Sequence, residues 1–246
     1  MSGFIPLENM DSKRQMIRLT YRIVAICLLS FMGRGMAQMS TLAVLDFENN
    51  SLFQSEQYQP LAKGLAEMVI TELSRVQTIR VVERRELRSL LEEMKLSQTG
   101  SVSSETSVQV GRLLGAHHLV FGGYMVAMNE KIRIDVRIVE VETGLTVKAE
   151  EVTGKTDKVL SLLKKLSKKI LDDLDVKLTK NEKKALDQAD NFDIEAIMYF
   201  SKGVECEDLG QWDKAKINYQ KALDIEPKMK RAEERLRAVS ERGKNE

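Results

Sequence analysis

Hydrophobic residues follow two different periods along this chain, and the change between them separates its predicted elements. Up to residue 114 they form short β-branched runs and stripes at helical spacing. The predicted elements are strands at 41–47 and 79–82 and helices at 60–76, 87–94 and 104–114. Pro60 suits the first turn of its helix, and Gly115 ends the last one. Strands that alternate with helices in this order predict an α/β domain.

From residue 117 the period becomes two, which is the spacing of a strand with one face in water. It is clearest in 131–138, where isoleucine and valine alternate with charged residues. Flanking runs at 117–128 and 145–152 are joined to this strand by short turns. We expect a mixed sheet of about five strands, with helices on one face and an antiparallel meander at its end. A helix at 157–176 closes the domain, and its lysine-rich side is either a solvated face or a site for anionic lipid headgroups or peptidoglycan.

The N-terminus has the pattern of a secretory signal peptide. Basic residues in 13–22 precede an uncharged, mostly apolar run at 23–33. Its 11 residues are too few to span a bilayer, which takes about 20. Small residues at Gly35 and Ala37 predict cleavage between Ala37 and Gln38. Residues 1–37 are therefore a predicted signal peptide, and Met16 is an alternative start.

Two alternatives to a cleaved signal stay open. The apolar run could be a short buried strand or helix of a cytoplasmic protein. Cys27 could carry a lipid, although a lipid-anchor site needs a small residue before the cysteine and Ile26 stands there. If residues 1–37 are removed, Cys206 is the one remaining thiol and no internal disulfide can form.

The charge balance argues against nucleic acid as a partner. The full chain has a formal net charge of +1. Residues 1–37 hold five basic and two acidic residues, so their removal changes the net charge to −2. A near-neutral chain lacks the excess of lysine and arginine that contacts to phosphates require.

The sequence pattern of the C-terminal part predicts helices with small residues at regular intervals. A capping box at 179–182 opens a short helix, and a third helix is predicted after Met229. Between them, Gly210 lets the chain turn and Pro227 stops the second helix of a hairpin. The residues that fit a repeat in register are Tyr199, Gly203, Gly210, Trp212, Ala215, Tyr219, Ala222 and Pro227. With this spacing, residues 196–229 resemble one tetratricopeptide unit.

A single unit of this kind cannot bury its apolar faces by itself. Ile197, Phe200 and Val204 are predicted on the inner face of its first helix. They must meet a helix at 182–190, another subunit or a peptide ligand. Packing within the chain and binding of a partner therefore both stay open for these three residues.

Residues that carry catalysis or bind metals are few. His117 and His118 are adjacent in a strand, so they point to opposite faces and cannot share a metal ion. Asp46 and Glu48 could act as paired carboxylates, but acids beside a turn are usually solvated. Cys206 has no histidine at a usable spacing, and the sequence has no nucleophile elbow or phosphate-binding loop. We expect no catalytic residue, no cofactor and no metal ion, and hence a protein that is not an enzyme.

Several segments together resemble the curli-secretion (CsgG) family. They are LAVLDFEN at 42–49, VVERRELRSLLEEMKLSQTGSVS at 81–103, VGRLLGAHHLVFGGY at 110–124 and IRIDVRIVEVETG at 132–144. The resemblance covers about residues 40–176 and implies the α/β architecture of that family. The same architecture looks like the N-terminal domain of TolB and like lipoprotein activators of cell-wall synthases.

This resemblance implies a periplasmic or outer-membrane component of envelope assembly or secretion. It would act through contacts with envelope proteins and form homo-oligomers. Three roles stay open: a scaffold or adaptor, a subunit of an oligomeric secretion channel, and a regulator of a cell-wall synthase. The channel is disfavoured because pore-forming members are lipoproteins with long inserted hairpins, whereas the strand at 131–141 falls where the soluble sheet needs it.

The predicted domain organisation is a CsgG-like α/β domain at 38–176 followed by an all-α domain at 177–246 that holds the helical hairpin. If these are separate folding units, a large charged residue at Trp212 or Ala215 would unfold the hairpin and leave the α/β domain folded.

Overall fold

The computed structural model describes residues 39–94, 104–187 and 192–242. Its strands are β1 (Ser40–Val44), β2 (Glu48–Asn49), β3 (Ile79–Val81), β4 (His118–Val126), β5 (Lys131–Glu140) and β6 (Thr146–Lys155). Its helices are α1 (Ser55–Tyr58), α2 (Leu61–Leu73), α3 (Arg84–Glu93), α4 (Ser104–Leu113), α5 (Val159–Asp173), α6 (Lys180–Asp187), α7 (Ile194–Asp208), α8 (Trp212–Ile225) and α9 (Lys230–Arg242). The predicted signal peptide at 1–37, its cleavage point between Ala37 and Gln38, and Cys27 lie outside the described residues.

The strands form one mixed sheet in the order β3-β1-β4-β5-β6, and β2 pairs with β4 beyond the end of β1. β1 runs parallel to both β3 and β4, whereas β4, β5 and β6 follow one another as antiparallel neighbours. Parallel neighbours need crossover connections, which α2, α3 and α4 supply. The predicted mixed sheet with an antiparallel meander at its end is confirmed.

One face of the sheet carries the main core. Ile132, Ile134 and Ile138 of β5 are fully buried on this face, as the period of two predicted. Helices α2 and α5 cover these residues with their own apolar stripes. Removal of this apolar surface from water is the main driving force for the α/β part of the fold.

The opposite face is also covered over part of its width, so the prediction of helices on one face only was wrong. Leu87 of α3 and Val110 of α4 pack there against Leu45. Parallel strands are usually buried on both faces because their crossover helices divide between two layers. β5 and β6 extend beyond this second cover, and Arg133 and Arg137 of β5 are exposed as a result.

The C-terminal helices share the main core. Phe200 of α7, Tyr219 of α8 and Val239 of α9 are at most 1% exposed and belong to the buried cluster that also contains sheet and α2 residues. α7 packs on α2, α8 packs on α7, and α9 packs on α8. Residues from Met39 onward accordingly form one compact unit. The segments on either side of the predicted boundary at residue 177 therefore share one apolar core in the folded chain.

Every helix in the described ranges is too short or too polar to span a bilayer.

Candidate functional site

A cluster of charged residues joins the last residue of α7 to the edge of the sheet. This Arg84 cluster consists of Arg84, Asp46, Asp208, Lys63 and Arg88. Asp46 follows β1, and Arg84 begins α3 shortly after β3. Because β1 and β3 are parallel, both residues emerge at the same edge of the sheet, which is where α/β proteins commonly place their binding residues.

Arg84 is the centre of this cluster. Its Nη1 atom lies 2.9 Å from Oδ1 of Asp208, and its Nη2 atom lies 3.0 Å from Oδ1 of Asp46. Lys63 Nζ is 2.9 Å from Oδ2 of the same Asp208 carboxylate. A guanidinium can bridge two carboxylates because its donors form a rigid planar fork, whereas an ammonium group would act as a single point of charge.

The guanidinium of Arg84 is buried, and the neighbouring carboxylates keep it protonated. Burial by itself disfavours the cation, but Asp46 and Asp208 outweigh burial and raise the pKa of Arg84 above its ordinary value. Its side chain is 8% exposed, compared with 42% for Asp46 and 13% for Asp208. The loss of Arg84 would weaken the compensation of the Asp208 carboxylate, which is poorly solvated, and this is costly.

A second cluster, the Glu67 cluster, joins α2 to α9. Glu67 is fully buried, and its Oε1 atom accepts hydrogen bonds from Arg235 and from Arg231, whose Nε lies 3.0 Å away. Arg235 also pairs with Glu207 at 3.0 Å, and Glu207 accepts a hydrogen bond of 2.8 Å from the Tyr219 hydroxyl. Burial alone would raise the pKa of Glu67, but the two arginines outweigh burial and lower it, so the carboxylate stays ionised.

Between the two clusters, α2 and α7 cross at a point where both have small residues. A Cβ atom placed on Gly64 would lie 1.7 Å from Oγ of Ser201, so only glycine fits without a shift of the helices. Ser201 is fully buried, and its hydroxyl donates to the carbonyl oxygen of Ile197 at 2.8 Å. Lys63 and Glu67 flank Gly64 on α2, so this close approach brings one residue of α2 to each charged cluster.

The predicted partner-binding residues Ile197, Phe200 and Val204 are buried at this contact. They are at most 2% exposed and belong to the cluster that contains α2. Of the two possibilities that the sequence left open, the structure shows packing within the chain, and in this conformation these residues offer no surface to a partner. Helix α2 therefore covers the apolar side of α7.

The small residues of the predicted repeat bring α7 and α8 together. A Cβ atom on Gly203 would lie 2.4 Å from Cε1 of Tyr219, so glycine makes room for that ring. Ala215 and Ala222 are fully buried. Gly210 has a φ of +69° in the turn between the helices, a conformation that glycine adopts without steric cost.

The other predicted repeat residues lie near the surface of the hairpin. Trp212 begins α8, and the guanidinium of Arg242 lies 5.2 Å from its ring centroid. The half-buried Tyr199 has Lys221 Nζ at 5.2 Å from its ring centroid. Pro227 follows the end of α8. A helical hairpin is therefore present at the predicted place, and its assignment to the tetratricopeptide class stays a prediction.

An open cleft of about 1330 Å³ lies beside the Arg84 cluster. Its lining includes Leu87 and Leu91 of α3 together with Phe121 of β4, which packs in the same apolar cluster as they do. Arg137, on the exposed part of β5, also lines it. Its lining therefore mixes apolar and charged groups. Pockets for small molecules usually have volumes of about 300–1000 Å³, so a wider and open cleft is better suited to a segment of a macromolecule.

Asp46 and Glu48, which the sequence offered as paired carboxylates, both line the cleft but lie in different surroundings. Asp46 is bound by Arg84, whereas Glu48 lies on β2, which pairs with β4. Cys206 is half-buried on α7, with Nδ2 of Asn218 at 3.7 Å from its sulfur, and burial raises the pKa of the thiol. In 39–94, 104–187 and 192–242, no group of three or more His, Cys, Asp or Glu side chains is placed to hold a metal ion.

The two histidines fix the beginning of β1 to β4. His117 Nδ1 accepts a hydrogen bond of 2.9 Å from the backbone N–H of Thr41. His118 Nδ1 lies 3.3 Å from Oγ of Ser40. Both rings therefore contact the same end of β1 and have a role in sheet structure.

We expect His118 to make the protein less stable at mildly acidic pH. Burial lowers the pKa of His118 below its ordinary value, and His117 acts in the same direction while Glu140 opposes it. The unfolded chain takes up this proton near pH 6.5 (about the usual histidine value) and the folded chain only at lower pH, so the free energy of unfolding falls as pH decreases through this window. Urea unfolding at about pH 7.5 and about pH 5.5 measures the loss. The loss should be smaller in His118→Gln, and equal losses in both proteins would contradict the prediction.

The comparison with protein families matches the first part of the α/β segment. The family model for "Curli production assembly/transport component CsgG" matches residues 34–130. That segment contains β1 to β4 with their crossover helices, whereas β5, β6 and the C-terminal helices lie beyond the match. The comparison with curated proteins gives no match.

Some solved structures resemble parts of the chain. The C-terminal domain of LpoB from Escherichia coli is 17% identical, with a TM-score of 0.39, and the match covers 50% of this chain and 87% of that one. Lipoprotein GNA1162 from Neisseria meningitidis is 12% identical, with a TM-score of 0.39 and coverages of 57% and 99%. TolB from Acinetobacter baumannii is 12% identical, with a TM-score of 0.38 and coverages of 56% and 28%. Likeness at this level does not transfer a function.

The sequence pattern did not predict that either charged cluster forms, although Asp46 and Tyr219 were named for other reasons. Glu67 carried a signal, because an acid inside the apolar stripe of a helix requires a buried partner. Arg231 and Arg235 carried the matching signal, because residues four apart share one face of a helix. Their connection could not be foreseen, since 164 residues separate Glu67 from Arg231.

Proposed function

We propose that this chain is an exported scaffold or adaptor of the cell envelope that binds other proteins and catalyses no reaction. It would work in the periplasm or at the outer membrane. The predicted signal peptide supports export. The match of residues 34–130 to a family of assembly and transport components supports a role in the envelope.

The cleft beside the Arg84 cluster is the observation that carries this proposal. Its volume of about 1330 Å³ and its mixture of apolar and charged lining are typical of a surface that receives part of another protein. The Arg84 cluster lines this cleft and joins α7 to the edge of the sheet there. A partner would therefore meet a surface that is already ordered, which reduces the entropy lost on binding.

We also propose that α7 and α8 form a tetratricopeptide unit that is completed from within the chain. Helix α2 covers one side of the hairpin and α9 covers the other. An isolated unit needs such neighbours because it cannot bury its apolar faces alone. In this arrangement the inner face of the unit is used for the fold, and the cleft offers a separate surface for partners.

Light scattering of residues 38–246, purified without detergent, tests the adaptor role. We expect a soluble monomer or small oligomer. A large ring that stays in solution only with detergent would overturn the adaptor role in favour of a channel subunit.

Export is tested separately by fusing residues 1–37 to a reporter enzyme that is active only in the periplasm. An inactive reporter retained in the cytoplasm would contradict export.

A further inference from the structure

We propose that two copies of this chain pair through the outer edge of β6 and join their sheets into one. β6 has 10 residues and is the last strand in the sheet order. Within the described ranges, no strand pairs with its outer side. An open edge of this length presents a row of backbone donors and acceptors to a further strand. This pairing would serve the protein-binding role proposed above, and in that sense the inference rests on that role. The experiment below tests only whether the pairing forms.

The hydrogen bonds between β5 and β6 identify which backbone groups face outward. Thr156 N donates to Glu130 O at 2.8 Å, so Thr156 and Glu130 form a hydrogen-bonded pair. Such pairs alternate along an antiparallel ladder, and the even-numbered residues of β6 down to Lys148 therefore bond to β5. The odd-numbered residues turn their N–H and C=O groups to the open side. These residues are Ala149, Glu151 and Thr153.

This outer edge is accessible. Leu145 and Val147, at the start of the strand, are 66% and 43% exposed. Lys169 Nζ approaches the outward carbonyl oxygen of Glu151 at 3.3 Å. That contact comes from a partly exposed side chain, so a backbone N–H of a second strand can replace it at little cost.

Charge and the length of the shared ladder together favour one register for the pairing of two β6 strands. When the twofold axis is perpendicular to the sheet, opposite residues lie on the same face of the joined sheet. A pair centred on Ala149 places Lys148 of each copy opposite Glu150 of the other. Pairs centred on Glu150 or on Glu151 would instead place two glutamates opposite each other at the axis. Opposite charges across strands stabilise a pair and like charges destabilise it, which excludes the registers with facing glutamates.

A pair centred on Thr153 would also place Glu151 opposite Lys155, but it would join only residues 151–155 of β6, whereas the pair centred on Ala149 joins residues 146–152. The longer ladder favours the register centred on Ala149.

A second copy fits this edge because the strand is complementary to itself. Lys148 pairs with Asp173 at 3.6 Å within the chain, and Glu150 pairs with Lys169. The new contacts between Lys148 and Glu150 would therefore extend a row of alternating charges on the α5 side of the sheet. The irregularity in the β5–β6 ladder lies at Ile138 and Val139, before Lys148, so the central pairs fall in the regular part of β6.

Cross-linking of single cysteines tests both the pairing and its register. In a Cys206→Ser background of residues 38–246, Ala149→Cys places a thiol at the twofold axis. Opposite Cα atoms of a hydrogen-bonded pair lie about 5.5 Å apart, within reach of a disulfide or a short bismaleimide. Thr153→Cys is the matched control, because it faces the same edge but its two copies lie about 26 Å apart in this register. We expect covalent dimer to form at least about tenfold faster with Ala149→Cys.

Reversing the charges at positions 148 and 150 provides a second test of the same register. Adding Lys148→Glu to Ala149→Cys places like charges opposite each other and should slow cross-linking about tenfold. Further addition of Glu150→Lys should restore it, provided that thermal unfolding shows all variants folded. Equal rates for Ala149→Cys and Thr153→Cys, or no rescue by the double reversal, would overturn the pairing. A soluble oligomer without this cross-link would overturn the β6 pairing and leave the adaptor role standing.

Discussion

Replacement of Arg84 by alanine is expected to lower the free energy of unfolding by about 3–5 kcal/mol. Arg84 bridges Asp46, at the end of β1, and Asp208, at the end of α7, and its side chain is 8% exposed. Without it, Asp208 keeps only Lys63 and Arg88 as partners, and the sheet edge loses its ionic connection to α7. Urea unfolding, followed by circular dichroism, measures the change.

The next residue provides a matched control. Arg85 is also an arginine on α3, but its side chain is exposed, and Arg85→Ala should change the free energy of unfolding by less than about 0.5 kcal/mol. Arg84→Lys should lose most of the stabilisation too, because an ammonium group cannot bridge both carboxylates as the guanidinium does. Equal and small losses for Arg84→Ala and Arg85→Ala would show that the cluster contributes little to stability.

The sheet could be predicted from the sequence where burial follows a local pattern. In β5, every second residue is buried under α2 and α5, so Ile132 and Ile134 alternate with charged residues and the strand is visible in the sequence. For β1, the sequence shows an apolar run without such alternation. That run was itself a sign of cover on both faces, since Leu42 and Leu45 are buried in different clusters.

The charged clusters could not be predicted because they join distant parts of the chain. Arg84 and Asp208 are 124 residues apart, and a local pattern does not state which acid meets which base. The same limit applied to Ile197, Phe200 and Val204. Their spacing showed that one side of a helix is apolar, but only the folded chain shows that α2 covers it.

Replacement of Ala215 by glutamate is expected to unfold the α/β part together with the C-terminal hairpin. Ala215 is 0% exposed, so a glutamate there would bury an unpaired charge at a cost of about 4 kcal/mol or more. Phe200 and Tyr219 belong to the same buried cluster as α2 and the sheet, so loss of the hairpin would also expose the apolar side of α2. This expectation is the opposite of the one that followed from a division into separate units at residue 177.

Two probes distinguish these outcomes. Trp212 is the one tryptophan of the chain, so its fluorescence reports on α8, while hydrogen exchange of the β5 amides reports on the sheet. In the unchanged protein both transitions should coincide, and Ala215→Glu should shift them together. Lys214→Glu adds the same side chain one residue earlier, at an exposed position, and should shift neither. If the β5 amides stayed protected while Trp212 became solvated, the α/β part would be a folding unit of its own, because its sheet would then be stable without the cover that α7 gives to α2.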